Sequence, residues 1–322
     1  MKVGMFMHCK SEKHHCLHYI TKKTNEHNSD NISRTNAYQN FYTRFPEIKW
    51  ALVASLVSRN AGWNMTDLML PAFLDILGKK ERNQLFMTYE RANWLIFSDA
   101  YPQLLVYQLS IQQNRPLFHL LPDFHVSKYM IKEWQTFWKF GDRERLMLAL
   151  IINEQNVIQQ PVVHQSYFEH HVFLRLPYLL QDILLLNAII LPTTSNELYG
   201  VNVHDFTKVS NRITLGKKIA SIIFHPSVYP SIYTFVSTNE HTGSRGDYEK
   251  YFAVPTKRAP MLRMVYPVIS HQDIIRKDWY KQGGIKKKWL KKVSAEFNQD
   301  VSTSFYRRRK ILTAYYYMKK IL

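Results

Sequence analysis

The chain lacks an apolar run long enough to cross a bilayer. The longest, Leu176 to Leu191, is broken by Gln181, Asp182 and Asn187. Lys2 is followed by only five apolar or small residues before His8, so no signal peptide is expected. Glycine is scarce, at ten residues, and neither a G-x-G-x-x-G nor a G-x-x-x-x-G-K sequence occurs. This argues against nucleotide folds built on glycine-rich turns. The two cysteines, Cys9 and Cys16, cannot form a disulfide framework, and the expected compartment is the reducing cytoplasm. No H-E-x-x-H zinc motif is present, because His170 and His171 follow Glu169 without the required spacing.

Apolar residues make up 46% of the chain, enough for a substantial core. The net charge of +18 is unevenly distributed. Residues 251–322 hold seventeen basic and four acidic groups, whereas residues 50–250 are almost neutral. Basicity therefore belongs to the C-terminal part and not to the whole chain.

Helical signals dominate. Pro46 and Glu47 are expected to open a helix that Gly62 closes, and Pro71 to Leu77 forms a shorter one ended by Gly78. Residues 80–98 and 102–114 read as two helices divided at Pro102. Ser127 caps a helix that Gly141 ends, and Asp142 begins another through Ile158. Further helices are expected over 162–174, 177–190, 203–224 and 228–239. The fold class is mainly α, a compact multi-helix globular array with a basic helical C-terminal tail. The expected division is an N-terminal arm and polar segment (1–44, with Thr21 to Asn36 as arm or loop), a helical core (45–252), and a linker and basic tail (253–322).

Three polar clusters interrupt apolar helices. Arg59, Asn60, Asn64 and Asp67 follow the run from Trp50 to Val57. Phe86, Glu90, Asn93, Trp94 and Phe97 share one helical face, so Glu90 is expected to be buried, with Arg59 as its cation. Asp99 follows, and Asn153, Glu154 and Asn156 end the run from Leu146. Two readings compete. In one, Glu90 and Glu154, with Asp99 or Asp67 in reserve, are catalytic carboxylates of a hydrolase or anion-processing enzyme, and Arg59, His241 and Arg245 anchor its substrate. In the other, the three clusters form one shared Arg59/Glu90/Asn153 network that fixes helix register. His241 to Tyr248, containing Ser244 and Arg245, reads as an anion-binding turn or as a hydrophilic turn with Ser244 as a helix cap; it is not G-x-S-x-G.

His8, Cys9, His14, His15, Cys16 and His18 match no ordinary zinc spacing, so neither a metal site nor a cofactor is assigned. In the tail, Ile285, Trp289, Val293 and Phe297 form a helical stripe among Lys286, Lys287, Lys288, Lys291 and Lys292. A second stripe, Ile311, Tyr315, Met318 and Leu322, follows Arg307, Arg308, Arg309 and Lys310. Both stripes can dock on the core while the basic groups face nucleic acid or an anionic membrane surface. A protein partner is a further expectation; no base-reading motif is present.

The segments Asn31–Thr35, Pro46–Trp50, Ser58–Asp67, Asn93–Phe97 with Asp99–Gln103, Ile152–Asn156 and His241–Arg245 resemble an uncharacterised family of Bacillus-type bacteria, the YppC-like family. The resemblance spans roughly residues 28–280. It implies a bacterial cytoplasmic protein and supplies no activity, ligand or mechanism. The His/Cys-rich start and the basic end after about residue 280 are not part of the family pattern, so neither is expected to carry a shared function. The expected function is therefore non-enzymatic binding or scaffolding through the basic tail, with the hydrolase as the alternative.

Overall fold

A computed structural model describes residues 2–159, 161, 188–202, 207–252, 259–272, 275–282, 284–293 and 301–321. The order is α1 (Lys2–His27), α2 (Asn31–Arg44), α3 (Trp50–Asp67), α4 (Pro71–Ile76), α5 (Lys79–Gln112), a 3₁₀ segment (Phe118–Phe124), α6 (Lys128–Phe140) and α7 (Arg143–Val157). A hairpin of β1 (Ala188–Pro192) and β2 (Leu198–Asn202) follows, then α8 (Val209–Ile223), α9 (Tyr229–Thr238) and, at the end, α10 (Ser302–Ile321). Short helical turns lie at Gly246–Glu249, Leu262–Val265 and Lys287–Leu290. The protein is mainly α, and no helix among the described residues is long and apolar enough to cross a membrane.

Helix α3 is the axis of the fold. Nearly all of its residues are buried, as expected of a helix enclosed on every side. Helices α2, α5 and α7 pack against it around Trp50, Trp63, Phe41 and Phe97. A second apolar cluster joins Met65, Phe73, Phe86 and Leu95 to Leu262 and Leu312.

Several local expectations need correction. Thr21 to Asn36 is helical apart from a turn at 28–30, because the Asp30 side chain accepts from the Ser33 backbone N–H at 2.7 Å and caps α2. Gly62 lies inside α3 and does not end it. A Cβ there would sit 2.4 Å from Asn31 Oδ1 and 2.9 Å from His241 Nε2, so the glycine permits close packing. Helix α5 runs unbroken through Pro102. Proline removes the N–H that would bond the Ser98 carbonyl, and Arg276 supplies the donor instead, at 3.3 Å.

Ser127 and Asp142 do cap α6 and α7, and Gly141 ends α6 in the left-handed region at φ 69°. The expected helix over 177–190 ends differently: residues 188–192 are β1, paired antiparallel with β2 so that Ile190 faces Gly200. The rest of that stretch, and the helix expected over 162–174, lie outside the described residues. Asn60 attaches the hairpin to α3. It accepts from the Ile190 N–H at 2.7 Å and donates to its carbonyl at 2.6 Å, acting as a strand neighbour.

Residues 259–272 are a belt across α2, α3 and α5. Arg263 grips Asp30 at 2.6 and 3.1 Å, Tyr266 stacks on Phe86 and donates to the Met65 carbonyl, and Leu262 bonds the Thr242 carbonyl.

Candidate functional site

Arg59, Asp67, Glu90, Asp99 and Arg245 are buried and Glu154 is partly so, but the partners differ from those expected. Glu90 pairs with Arg34 of α2 and not with Arg59, and His271 of the belt lies 3.5 Å from its other oxygen. Burial pushes the Glu90 carboxyl up, yet His271 and Arg34 outweigh it and hold the group below its ordinary value. Arg34 spacing along α2 was the available signal: Asn31, Arg34, Thr35 and Tyr38 are buried on one face of that helix.

Arg59 instead crosses to Gln39 at 2.6 Å and to the carbonyls of Asn239 and Val236 at the end of α9. With no carboxylate bonded to it among the described residues, burial lowers its value to about 10. Asn64 and Asp67 turn toward the third region. Arg245 bonds Asp67 and, at 2.7 and 2.9 Å, Asn64 and Tyr248. Around it, Trp63 and Thr242 donate to Asp247, and His241 bonds Asn31 at 2.8 Å. Burial lowers the His241 imidazole to about 4. Ser244 accepts from Gly246 N–H and donates to the Ala259 carbonyl. The turn expected to be hydrophilic is thus interior, and Arg245 is committed to protein groups.

The other two clusters meet in part. Asn153 donates to Asp99 at 2.6 Å and accepts from Ser127 and Trp279. Asp99 also accepts from Gln103, and Arg276 lies 3.7 Å away. Burial raises the Asp99 carboxyl against these partners. Glu154 accepts from Trp50 at 3.0 Å and from Gln155, and burial lifts it to about 7. Asn93 and Asn156 return to their own helices, bonding the carbonyls of Tyr89 and Ile152. The single Arg59/Glu90/Asn153 network is therefore replaced by separate ones, and Glu90 and Glu154 share no described hydrogen-bond partner. Among the described residues no group of three or more His, Cys, Asp or Glu side chains could hold a metal ion.

The basic segment divides into two anchored elements. Trp289 is buried and donates to Ser210 at 2.9 Å. Lys217 of α8 donates to the carbonyls of Trp289 and Lys291 at 3.1 and 2.8 Å, closing the turn from below. Lys286, Lys287, Lys288, Lys291 and Lys292 consequently stay exposed, and none makes an ion pair with a described residue. Leu290 is exposed among them. The longer stripe expected here shrinks to one turn, and Phe297 lies outside the described residues.

In α10, Phe305, Arg309, Leu312 and Tyr316 form the docked face, because Arg309 reaches the buried Glu249 and Leu312 joins the second apolar cluster. Arg309 accordingly leaves the basic surface, while Arg307 and Lys310 remain exposed and Arg308 partly so. The stripe expected to dock is turned outward: Ile311, Tyr315 and Met318 are 57%, 50% and 58% exposed.

Residues 26–309 match the family described as Protein of unknown function (DUF2515). The chain belongs to this family. A relative, the uncharacterized protein YppC of Bacillus subtilis (strain 168), is 49% identical over 279 residues, covering 86% of each chain. No solved structure matches the chain. The family match extends through Arg309, so the lysine turn and the Glu249–Arg309 anchor fall within the family span, contrary to the expectation that the basic end lies outside it.

Proposed function

We propose that the protein is a non-enzymatic cytoplasmic binding protein that docks on an anionic membrane surface through its two anchored basic elements. The observation that carries this reading is the pairing of exposed cations with exposed aliphatic side chains: Leu290 among five lysines, and Ile311 and Met318 after Arg307 and Lys310. Lysines alone suit any polyanion. Exposed leucine, isoleucine and methionine gain nothing from a phosphate backbone but enter the boundary between headgroups and acyl chains. Each basic group near an anionic leaflet contributes about 1 kcal/mol. The separate carboxylate networks support binding over hydrolysis, since each catalytic candidate is enclosed by its own donors.

The test is sedimentation of the full chain with phosphatidylglycerol-containing vesicles. Exchanging Lys287, Lys288, Lys291 and Lys292 for Gln should lower affinity by about 10²–10³-fold and reduce its salt dependence. Ile311→Ser with Met318→Ser should weaken binding at every salt concentration. Tight binding to duplex DNA or RNA that is indifferent to the Ile311/Met318 pair, with no vesicle binding, would overturn the reading in favour of nucleic acid.

A further inference from the structure

Helix α1 is held to the core along one side. Ile20 and Thr24 are buried, Asn28 donates to the Trp94 carbonyl at 3.2 Å, Lys13 pairs with Asp123 at 2.9 Å and Glu12 pairs with Arg115. These contacts fix the helix against α5 and the 3₁₀ segment. The stretch that carries His14, His15 and His18 is therefore an anchored helix, where the sequence pointed to an arm.

The helix sets two imidazoles side by side on its outer face. His14 and His18 are both exposed and four residues apart, a spacing that puts their Cβ atoms about 5–6 Å from each other. Two imidazoles so placed can each bring a nitrogen to about 2.0–2.1 Å from one ion held between them. The two histidines of H-E-x-x-H take a zinc ion from one helical face with this same spacing. His15 lies off that row, its ring edge-on to His14 with centroids 6.4 Å apart. Of the neighbouring lysines, Lys13 is neutralised by Asp123, and Lys22 lies a full turn beyond His18 in solvent, where water weakens its repulsion. No group of three His, Cys, Asp or Glu side chains that could hold a metal forms here among the described residues. An ion on this pair would keep water at its other positions and exchange readily, unlike the closed four-ligand sites that stabilise a fold.

We propose that His14 and His18 clamp an exchangeable divalent transition-metal ion, of the Ni²⁺, Cu²⁺ or Zn²⁺ class, on the outer face of α1. Imidazole suits these ions, whereas Mg²⁺ and Ca²⁺ require oxygen ligands that the pair does not offer. The site precedes the span matched by the family model, which begins at residue 26, and it is independent of the membrane-docking surface. Isothermal titration of the full chain with Ni²⁺, Zn²⁺ and Mg²⁺ in turn tests it. Ni²⁺ and Zn²⁺ should bind and Mg²⁺ should not. His14→Ala and His18→Ala should each weaken Ni²⁺ binding at least about tenfold, since even an outer-shell partner of a metal site is worth about 10–100-fold. His15→Ala and Cys9→Ser should leave the affinity unchanged. The three histidine exchanges fall at exposed positions, so the melting temperature of the metal-free chain should not drop. Failure of Ni²⁺ and Zn²⁺ to bind, Ni²⁺ binding that survives loss of both His14 and His18, or binding that is lost with His15 or Cys9 would each overturn the proposal.

Discussion

Replacing Glu154 by Gln should stabilise the protein at neutral and alkaline pH and leave it unchanged in acid. The carboxyl accepts from Trp50 and Gln155 but has no cation bonded to it among the described residues, and burial lifts it from an ordinary 4.5 to about 7. The folded state therefore holds a proton that the unfolded state has released. Stability from this group is full below 4.5, falls as pH rises, and is gone above about 7. That interval is worth roughly 3 kcal/mol, an upper bound because the side chain is partly exposed, so about 1–3 kcal/mol is expected. Glutamine keeps an oxygen for the Trp50 N–H without the charge. Urea denaturation of parent and variant from pH 4 to 8 reads the difference directly, since titrations elsewhere cancel. The variant should match the parent near pH 4 and exceed it by about 1–3 kcal/mol at pH 8. A variant that is less stable at pH 8, or a difference independent of pH, would refute the reasoning.

The Arg34–Glu90 pair should show strong coupling. Either Arg34→Met or Glu90→Leu alone leaves a buried charge and should cost about 3–5 kcal/mol, whereas the double variant should recover most of that loss in a denaturation cycle. Removing Arg276 by exchange for Met orphans the Ser98 carbonyl and should cost about 1–3 kcal/mol; in a Pro102→Ala background, where a backbone N–H returns, the loss should shrink. Equal losses in both backgrounds would show that the carbonyl is not what Arg276 serves. Gly62→Ala should destabilise by about 1–3 kcal/mol, measured by thermal melting, because its methyl meets Asn31 and His241.

The helices with local signals were readable from the sequence. Ser127, Gly141 and Asp142 mark boundaries by capping chemistry that depends on a few adjacent residues. Gly62 and Pro102 misled for the same reason, since their roles depend on residues far along the chain. His241 and Asn31 crowd Gly62, and Arg276 repairs the gap that Pro102 leaves in α5. The periodicity of α5 marked Glu90 as buried, but its partner is decided by tertiary packing: Arg34 and Arg59 lie on adjacent helices, and only Arg34 reaches Glu90. In α10 both the 305/309/312/316 and the 311/315/318 faces carry apolar residues, so periodicity alone could not say which one docks. The buried Glu249 decides it by drawing in Arg309.

Affinity of the intact protein for anionic against zwitterionic vesicles, measured by sedimentation across a salt series with duplex DNA as competitor, tests the central claim most directly. The account predicts much tighter binding to the anionic vesicles, weakening as salt rises, with residual partitioning through Ile311 and Met318 that DNA does not displace. Equal failure to bind both vesicle types, or complete displacement by DNA, would contradict it.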